Sequence, residues 1–187
     1  ENIPAADEEE VEVYSPILEI IKESDKKEYV SGEKGYYKLT VRQLRKDVTD
    51  SNIVIEDTFE TKGVTLVEDS ILVKKNGAEL KDIKTKISEN GFKIETKTTL
   101  SDMDKIEVYY EVVFKTESTE PEKVVNTAKA KGDISPETLA QNEVYVKAAP
   151  KPTIPGSCPK MTPVPTKTPV PSYSNGNSGS GNSSYGS

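Results

Sequence analysis

Three polar residues of the sequence could take part in one chemical reaction: a lysine, Lys22, an acid, Asp57, and an amide, Asn126. Each lies in a short segment in which side chains alternate between apolar and polar, and each shares the phase of the apolar residues. The segments are 18–22, 53–59 and 124–130. Because alternate side chains of a β-strand point to the same face, all three residues are predicted to point where apolar residues point.

An amine, a carboxyl group and an amide that meet in an apolar core can form a covalent bond. Burial lowers the pKa of a lysine and raises the pKa of an aspartic acid, which leaves a neutral amine and a protonated acid near neutral pH. The Lys22 amine could then attack the side-chain carbonyl of Asn126, while Asp57 hydrogen-bonds the carbonyl oxygen and shuttles protons. Ammonia would leave, and an amide crosslink would join the first strand of the domain to the next-to-last strand.

The same three residues also allow a purely structural interpretation. Lys22 would extend its amine to solvent, Asp57 would begin a turn and Asn126 would bond the backbone, so that each residue simply ends its strand. Burial of an unpaired charge is costly, so three inward side chains must either become partners or change chemically. The two interpretations therefore differ in whether the side chains meet in the core.

The composition argues against most catalytic and cofactor chemistry. The chain has no His, which removes the commonest general base and zinc ligand, and its single Cys158 lies among prolines without a preorganised base. Asp102 and Asp104 lie in a predicted turn without a phosphate loop or metal-ligand spacing. The net charge of -7 opposes binding to nucleic acid. We therefore predict no cofactor, no metal, no nucleic-acid partner and no turnover catalysis.

Segments rich in Val, Ile, Tyr and Thr alternate with turn residues between Pro16 and Ala149, which is typical of an all-β domain. Clear two-residue alternation occurs in 37–42, 92–95 and 106–114. Asn76-Gly77 and Asn90-Gly91 predict two tight hairpin turns. Six to eight strands must bury one face each, so we predict an immunoglobulin-like β-sandwich, with a closed barrel as the alternative.

The composition changes on both sides of this domain, and the chain divides into four predicted regions. They are an acidic lead-in (1–15) with an edge strand at 11–14, the sandwich domain (16–149), a Pro/Thr-rich linker (150–171) and a flexible tail rich in Gly, Ser and Asn (172–187). The chain begins at Glu1 without Met, and no apolar run approaches the roughly 20 residues that cross a bilayer. We expect a piece of a longer protein that is anchored elsewhere.

Six short motifs follow one another in a recognisable order. They are Ile20-Ile21-Lys22, Gly32, Tyr37-Lys38-Leu39-Thr40-Val41, Val54-Ile55-Glu56-Asp57-Thr58-Phe59, Leu100 and Val125-Asn126-Thr127-Ala128. This order resembles that of DUF11-type repeats and of the related isopeptide-forming, CnaA-type domains of Gram-positive fimbriae, over roughly residues 16–147. The resemblance implies an immunoglobulin-like fold, a bacterial cell-surface location and a structural or adhesive role. It also implies that Lys22 bonds to Asn126 with the assistance of Asp57.

These observations predict an extracellular stalk or display module. Its expected partners are neighbouring modules of the same surface protein and, for an adhesive role, a host matrix protein or glycan. The alternative is a non-catalytic carbohydrate-binding or spacer module of a secreted glycosidase, because Pro/Thr-rich linkers also join such parts. Carbohydrate binding needs a platform of exposed aromatic rings, and in the absence of Trp the candidates are Tyr36, Tyr109 and Tyr145.

Overall fold

The computed structural model describes residues 16–152, which form an all-β domain. Fourteen strands lie in this part of the chain: β1 (Leu18–Ser24), β2 (Glu28–Val30), β3 (Lys34–Gln43), β4 (Thr49–Ser51), β5 (Val54–Phe59), β6 (Val64–Leu66), β7 (Leu72–Lys75), β8 (Ala78–Glu79), β9 (Ile83–Ser88), β10 (Gly91–Thr96), β11 (Thr99–Ser101), β12 (Lys105–Phe114), β13 (Glu122–Lys131) and β14 (Thr138–Lys147). The helical structure described consists of one 3-10 turn at Glu68–Ser70. Within the same residues, no helix has the length and apolar character that a membrane span requires.

Two six-stranded sheets pack face to face. The first sheet has the strand order β1-β3-β12-β7-β8, with β6 also paired to β12, and the second has the order β2-β14-β13-β5-β10-β9. Strands β4 and β11 form a separate two-stranded ribbon. The pairing is antiparallel throughout except between β2 and β14, which run parallel. The predicted immunoglobulin-like β-sandwich is therefore confirmed, and the chain does not adopt the closed barrel.

The core lies between the two sheets and is built by two-residue alternation. In β12 the burial alternates along the strand, and the inward residues Ile106, Val108, Tyr110, Val112 and Phe114 are all buried. Each fully buried apolar side chain of this kind contributes about 1.5–3 kcal/mol relative to exposure. The same alternation in β3 buries residues 37, 39 and 41, as the sequence predicted.

The number of strands was underestimated from the sequence. Six to eight were expected, whereas residues 16–152 contain fourteen. Five of these, β2, β4, β6, β8 and β11, are only two or three residues long. A two-residue period cannot be recognised in so short a segment. Except for β8, which pairs with β7, these strands also pair with distant parts of the chain.

The two predicted hairpin turns differ in where the glycine lies. Asn76 and Gly77 form the turn between β7 and β8 with φ values of 49° and 85°, as the type I′ prediction requires. In the second hairpin, however, the turn residues are Glu89 and Asn90, and Gly91 is already the first residue of β10. Gly91 is needed there for a different reason, because a Cβ at this position would overlap the backbone carbonyl oxygen of Asp57.

A buried carboxylate organises the loop that connects β13 and β14. Asp50 is fully buried and accepts hydrogen bonds from the backbone N–H groups of Ser51 (2.8 Å), Ile134 (3.1 Å) and Ser135 (3.2 Å), and from the Ser135 hydroxyl. The backbone of Gly132 passes so close that a Cβ there would overlap this carboxylate. Both oxygens of Asp50 are thus occupied by donors, and the group acts as an anchor for residues 132–135.

Several sequence predictions lie outside the described residues. They concern the acidic lead-in with its edge strand at 11–14, Cys158, and the linker and tail from residue 153 onward.

Candidate crosslinking site

The structure brings Lys22, Asp57 and Asn126 together between the sheets. Lys22 lies in β1 of the first sheet, whereas Asp57 in β5 and Asn126 in β13 lie on neighbouring strands of the second sheet. All three residues occupy strand interiors and are buried, with 7%, 1% and 0% of their surface exposed. The Lys22 side chain itself is completely buried. Lys22 therefore does not extend to solvent, and Asp57 does not begin a turn.

The polar atoms of the site are joined by a short network of hydrogen bonds. The Lys22 Nζ donates to Asp57 Oδ2 and, at 2.7 Å, to the hydroxyl of Tyr110. The Asn126 Nδ2 donates to the same hydroxyl at 3.0 Å. One oxygen atom, the Oη of Tyr110, thus contacts both the amine of Lys22 and the amide nitrogen of Asn126.

Tyr110 is a member of the site that sequence reasoning missed. The alternating pattern of 106–114 placed its ring in the core, and the structure agrees. The available signal was chemical, since a buried tyrosine hydroxyl almost always needs a polar partner. The pattern could not show that this hydroxyl would have two partners, the amine of Lys22 on β1 and the amide nitrogen of Asn126 on β13.

Aromatic rings enclose the polar atoms on several sides. The ring of Tyr37 stacks on Tyr110 with centroids 5.4 Å apart, and Phe92 meets Tyr110 edge-on at 4.9 Å. Phe59 packs edge-on against Tyr37 at 5.8 Å. The Lys22 Nζ lies 5.2 Å from the Tyr37 centroid and 5.4 Å from the Tyr110 centroid. Such walls lower the local dielectric constant, so each charge in the site is expensive and each hydrogen bond is strong.

Burial shifts the titration of the site toward its uncharged form. Desolvation lowers the pKa of Lys22 to about 8, although the negative charge of Asp57 opposes this shift. Desolvation likewise raises the pKa of Asp57, against the opposing effect of Lys22. The pKa of Tyr110 is raised mainly by burial and further by Asp57, so this hydroxyl keeps its proton. Both shifts favour a neutral amine next to a protonated acid over the ion pair, relative to the same groups in water.

Two oxygen atoms of the site are buried without a hydrogen-bond partner among residues 16–152: Asp57 Oδ1 and Asn126 Oδ1. Buried polar atoms without partners are uncommon and destabilising. If Asp57 takes up a proton, it becomes a donor, and the Asn126 carbonyl becomes its natural acceptor. The two oxygen atoms without a partner are thus the ones that would share a hydrogen bond when an amine adds to the Asn126 carbonyl.

A nearby amide could compete with Asn126 for the lysine. Asn142 of β14 is paired directly with Asn126 of β13, and it is also buried with its Oδ1 unpartnered among the described residues. Only Asn126, however, shares a hydrogen-bond acceptor with Lys22. The geometry therefore favours Asn126 as the acceptor of the amine.

The candidate carbohydrate platform is divided between two surfaces. Tyr36 and Tyr109 are outward residues of the first sheet, whereas Tyr145 is an outward residue of the second. The Tyr109 ring is also close to two ammonium groups, with the Nζ atoms of Lys38 and Lys74 5.7 Å and 5.6 Å from its centroid. These three rings cannot present one stacking surface to a sugar.

Asp102 and Asp104 lie between β11 and β12. Residues 16–152 contain no group of three His, Cys, Asp or Glu side chains arranged to hold a metal ion. Asp104 instead accepts hydrogen bonds from the Ser101 backbone N–H at 3.0 Å and from Asn76 Nδ2 at 2.7 Å. The carboxylate pair noted in the sequence is therefore part of a turn.

The fold is that of immunoglobulin-like domains from Gram-positive surface proteins. Solved structures with this fold include the N-terminal domain of the Streptococcus gordonii adhesin Sgo0707 (TM-score 0.55, 18% identity, covering 70% of this chain and 32% of that one). They also include the major pilin subunit BcpA of Bacillus cereus in its D312A form (TM-score 0.54, 12% identity, 70% and 40%). A third is the pilus backbone protein RrgB of Streptococcus pneumoniae (TM-score 0.53, 11% identity, 62% and 31%).

These likenesses establish the fold and leave the family open. The chain spans between 31% and 40% of the length of the three structures. No protein-family model matches the chain, and no curated protein matches it either. The resemblance to DUF11-type repeats consequently remains a prediction from the sequence.

Proposed function

We propose that this chain is a structural or adhesive module of a Gram-positive cell surface, stabilised by an autocatalytic isopeptide bond between Lys22 and Asn126. The fold supports the general role, because pilin and adhesin domains share it. The observation that carries the crosslink is the buried contact network in which Lys22 meets Asp57 and shares the Tyr110 hydroxyl with Asn126. A network of this kind has little value for stability alone, since burying an ion pair costs about as much as it returns.

The reaction begins with transfer of a proton from Lys22 to Asp57 within their hydrogen bond. The free electron pair of Nζ then forms a bond to Cγ of Asn126, and the carbonyl electrons move to Oδ1, where the acidic proton of Asp57 stabilises the developing charge. Collapse of this tetrahedral intermediate restores the carbonyl and breaks the bond between Cγ and Nδ2. The departing nitrogen takes a third proton, which comes from Nζ, and leaves as ammonia. The new amide nitrogen keeps one proton, and Asp57 keeps the proton that it took from Lys22.

The position of the bond determines what it would protect. Lys22 lies in the first sheet and Asn126 in the second, so the bond would connect the two sheets through the core. The closed loop would contain strands β2 to β12. Tension applied at the two ends of the domain could still separate β14 from β13, but it could not extend the chain between the two crosslinked residues.

Intact mass measurement of the full chain tests the proposal directly. The parent chain is expected to be lighter than its sequence mass by one ammonia, and Lys22→Ala and Asn126→Ala are each expected to show their full sequence masses. Lys26→Ala is a matched control, because its side chain is half exposed and its ammonium pairs with Glu33 away from the site. It should retain the loss of ammonia. A full-mass parent chain would refute the bond.

Peptide mapping then distinguishes the two buried amides. A crosslinked peptide that joins the segment of Lys22 to the segment of Asn126 is the expected product. A link to Asn142 would show that the reaction occurs with a different acceptor, and the assignment of Asn126 would be wrong.

The display role has consequences for partners. We expect contacts with neighbouring modules of the same surface protein, and for an adhesive role with a host matrix protein or glycan. The domain would perform at most a single self-modification and no turnover. The carbohydrate-binding alternative receives no support from the arrangement of the tyrosines, and a glycan array probed with the full chain would decide it.

A further inference from the structure

The hydroxyl of Tyr110 contacts two of the reacting groups, yet the reaction described above assigns it no role. It accepts a hydrogen bond from the amine of Lys22 at 2.7 Å and one from the amide nitrogen of Asn126 at 3.0 Å. These two nitrogen atoms are the nucleophile and the leaving group of the proposed reaction. The Tyr110 Oη therefore lies between the nucleophile and the leaving group.

The proposed reaction contains a second proton transfer, from the nitrogen atom of Lys22 to that of Asn126. After addition, the Lys22 nitrogen carries one proton too many, and the amide nitrogen needs one more to leave as ammonia. Asp57 Oδ2 is engaged with Lys22, and Asn126 Nδ2 donates its hydrogen bond to Tyr110. The acid therefore accounts for the charge on the carbonyl oxygen, while the path between the two nitrogens runs through the phenol.

We propose that Tyr110 is a catalytic residue of the crosslink and relays a proton from the attacking nitrogen of Lys22 to the departing nitrogen of Asn126. The inference rests on the proposed crosslinking function and deepens it. In the relay, Nζ gives a proton to Tyr110 Oη while the original hydroxyl proton moves to Nδ2. The bond between Cγ and Nδ2 then breaks with its electron pair on nitrogen, and Tyr110 ends with one proton, as it began.

The surroundings of the ring suit this role. The stacked ring of Tyr37 and the edge of Phe92 hold Tyr110 in place, so its hydroxyl has little freedom to leave the two nitrogens. Burial raises the pKa of Tyr110 well above its ordinary value, which disfavours a free phenolate. A group that neither gains nor loses a net proton, and that can accept and donate at once, meets the requirement.

The test compares two neighbouring tyrosines of β12. Tyr110→Phe removes the hydroxyl that contacts both nitrogens, whereas Tyr109→Phe removes a hydroxyl on the outward face of the same strand. The full chain is synthesised in a cell-free system and sampled over time, and the loss of ammonia is followed by intact mass. Tyr110→Phe is expected to slow the loss by about 100-fold or more. Tyr109→Phe should react at the rate of the parent.

The outcomes separate the relay from the crosslink itself. A parent chain that never loses ammonia refutes both. A parent and a Tyr110→Phe variant that lose ammonia at the same rate refute the relay and leave the crosslink standing. Circular dichroism of each variant at the end of the time course verifies that the sandwich has formed.

A second substitution keeps the proposal testable if Tyr110→Phe fails to fold. Site-specific replacement of Tyr110 by 3-fluorotyrosine preserves the ring and the hydroxyl but lowers the pKa of the phenol. A relay predicts a changed rate of ammonia loss, because the transferred proton is held less tightly. A hydroxyl that serves only to position the two nitrogens predicts an unchanged rate, and that result would overturn the relay.

Discussion

Two buried carboxylates of this domain, Asp50 and Asp57, are used in opposite ways. Asp50 receives four hydrogen bonds, three from backbone N–H groups and one from the Ser135 hydroxyl, and no ammonium group contacts it in the described structure. Asp57 is paired with the ammonium of Lys22, and its second oxygen has no partner in residues 16–152. Both groups are almost completely buried.

The difference in contacts matters for the proposed reaction. A carboxylate whose two oxygens are both occupied by fixed donors acts as a structural anchor. A carboxylate with one ammonium partner and an unsatisfied oxygen can exchange a proton with that partner and still form a new hydrogen bond. Burial is common to both sites, so the contacts decide the role.

The largest expected effect concerns Asp57. Asp57→Asn cannot accept the proton of Lys22 or stabilise the charge on the Asn126 carbonyl, so loss of ammonia should slow by about 100-fold to 10,000-fold. Time-resolved intact mass measures this rate, and Asp50→Asn serves as the matched control. Equal rates for the two variants would remove the distinction between the two acids.

The second effect concerns stability. Asn126→Ala keeps the pair of Lys22 and Asp57 but prevents the bond, which would otherwise close a loop of roughly 100 residues. By analogy with disulfides that close loops of that length, the variant should lose roughly 4–5 kcal/mol of unfolding free energy. Urea titration of the crosslinked parent and the variant checks this value. A difference below about 1 kcal/mol would contradict a stabilising crosslink, because loss of one ordinary hydrogen bond accounts for that much.

A smaller effect is expected at Asp50. Asp50→Asn places an amide group among four donors, so at least one donor loses its acceptor, at a cost of about 1–3 kcal/mol. Hydrogen exchange should show the loosening first in residues 132–135, whereas the loss of ammonia should be complete. A variant that fails to form the crosslink would show that Asp50 also contributes to the reactive site.

The smallest effect is the dependence of the crosslinking rate on pH. The reactive pair holds one proton between Lys22 and Asp57, and the other ionisable groups facing it, Tyr37 and Tyr110, have raised pKa values and stay protonated. Above the pKa of about 8 of Lys22, the pair loses its last proton, and the rate should fall about tenfold per pH unit. Below the raised pKa of Asp57, the pair holds two protons, the amine stays charged, and the rate should fall again.

A rate that rises steadily to pH 10 would indicate a simple amine nucleophile that needs no acid. The measurement uses the same cell-free chain, transferred to buffers of different pH before the loss of ammonia begins.

Much of the site could be predicted from local patterns. The two-residue period of a strand is a local property, so the inward direction of Lys22, Asp57 and Asn126 follows from their neighbours alone. The hairpin at Asn76-Gly77 is equally local, because the φ values that a two-residue turn demands are available to those two residue types. Long strands with clear alternation, such as β12, are predictable for the same reason.

Other features depend on which strands become neighbours. Tyr110 joins the site because β12 of the first sheet packs over the second sheet, where β13 carries Asn126. No local pattern encodes how the two sheets pack. The role of Gly91 was assigned to a turn because its true reason, the close approach of the Asp57 carbonyl, comes from a strand more than 30 residues earlier. The short strands β2, β4, β6 and β11 escaped recognition because their hydrogen-bond partners are distant in the chain.

The sequence by itself determined the all-β character and the faces of the strands, since these follow from residue type and a period of two. It favoured a two-sheet sandwich but left a closed barrel as the alternative. Only the tertiary structure decided that the three inward polar residues meet, that a tyrosine hydroxyl lies between two of them, and that one buried acid is satisfied while the other is not. The physical reason is that reactivity depends on distances between atoms of different strands, and those distances are set by the packing of the two sheets.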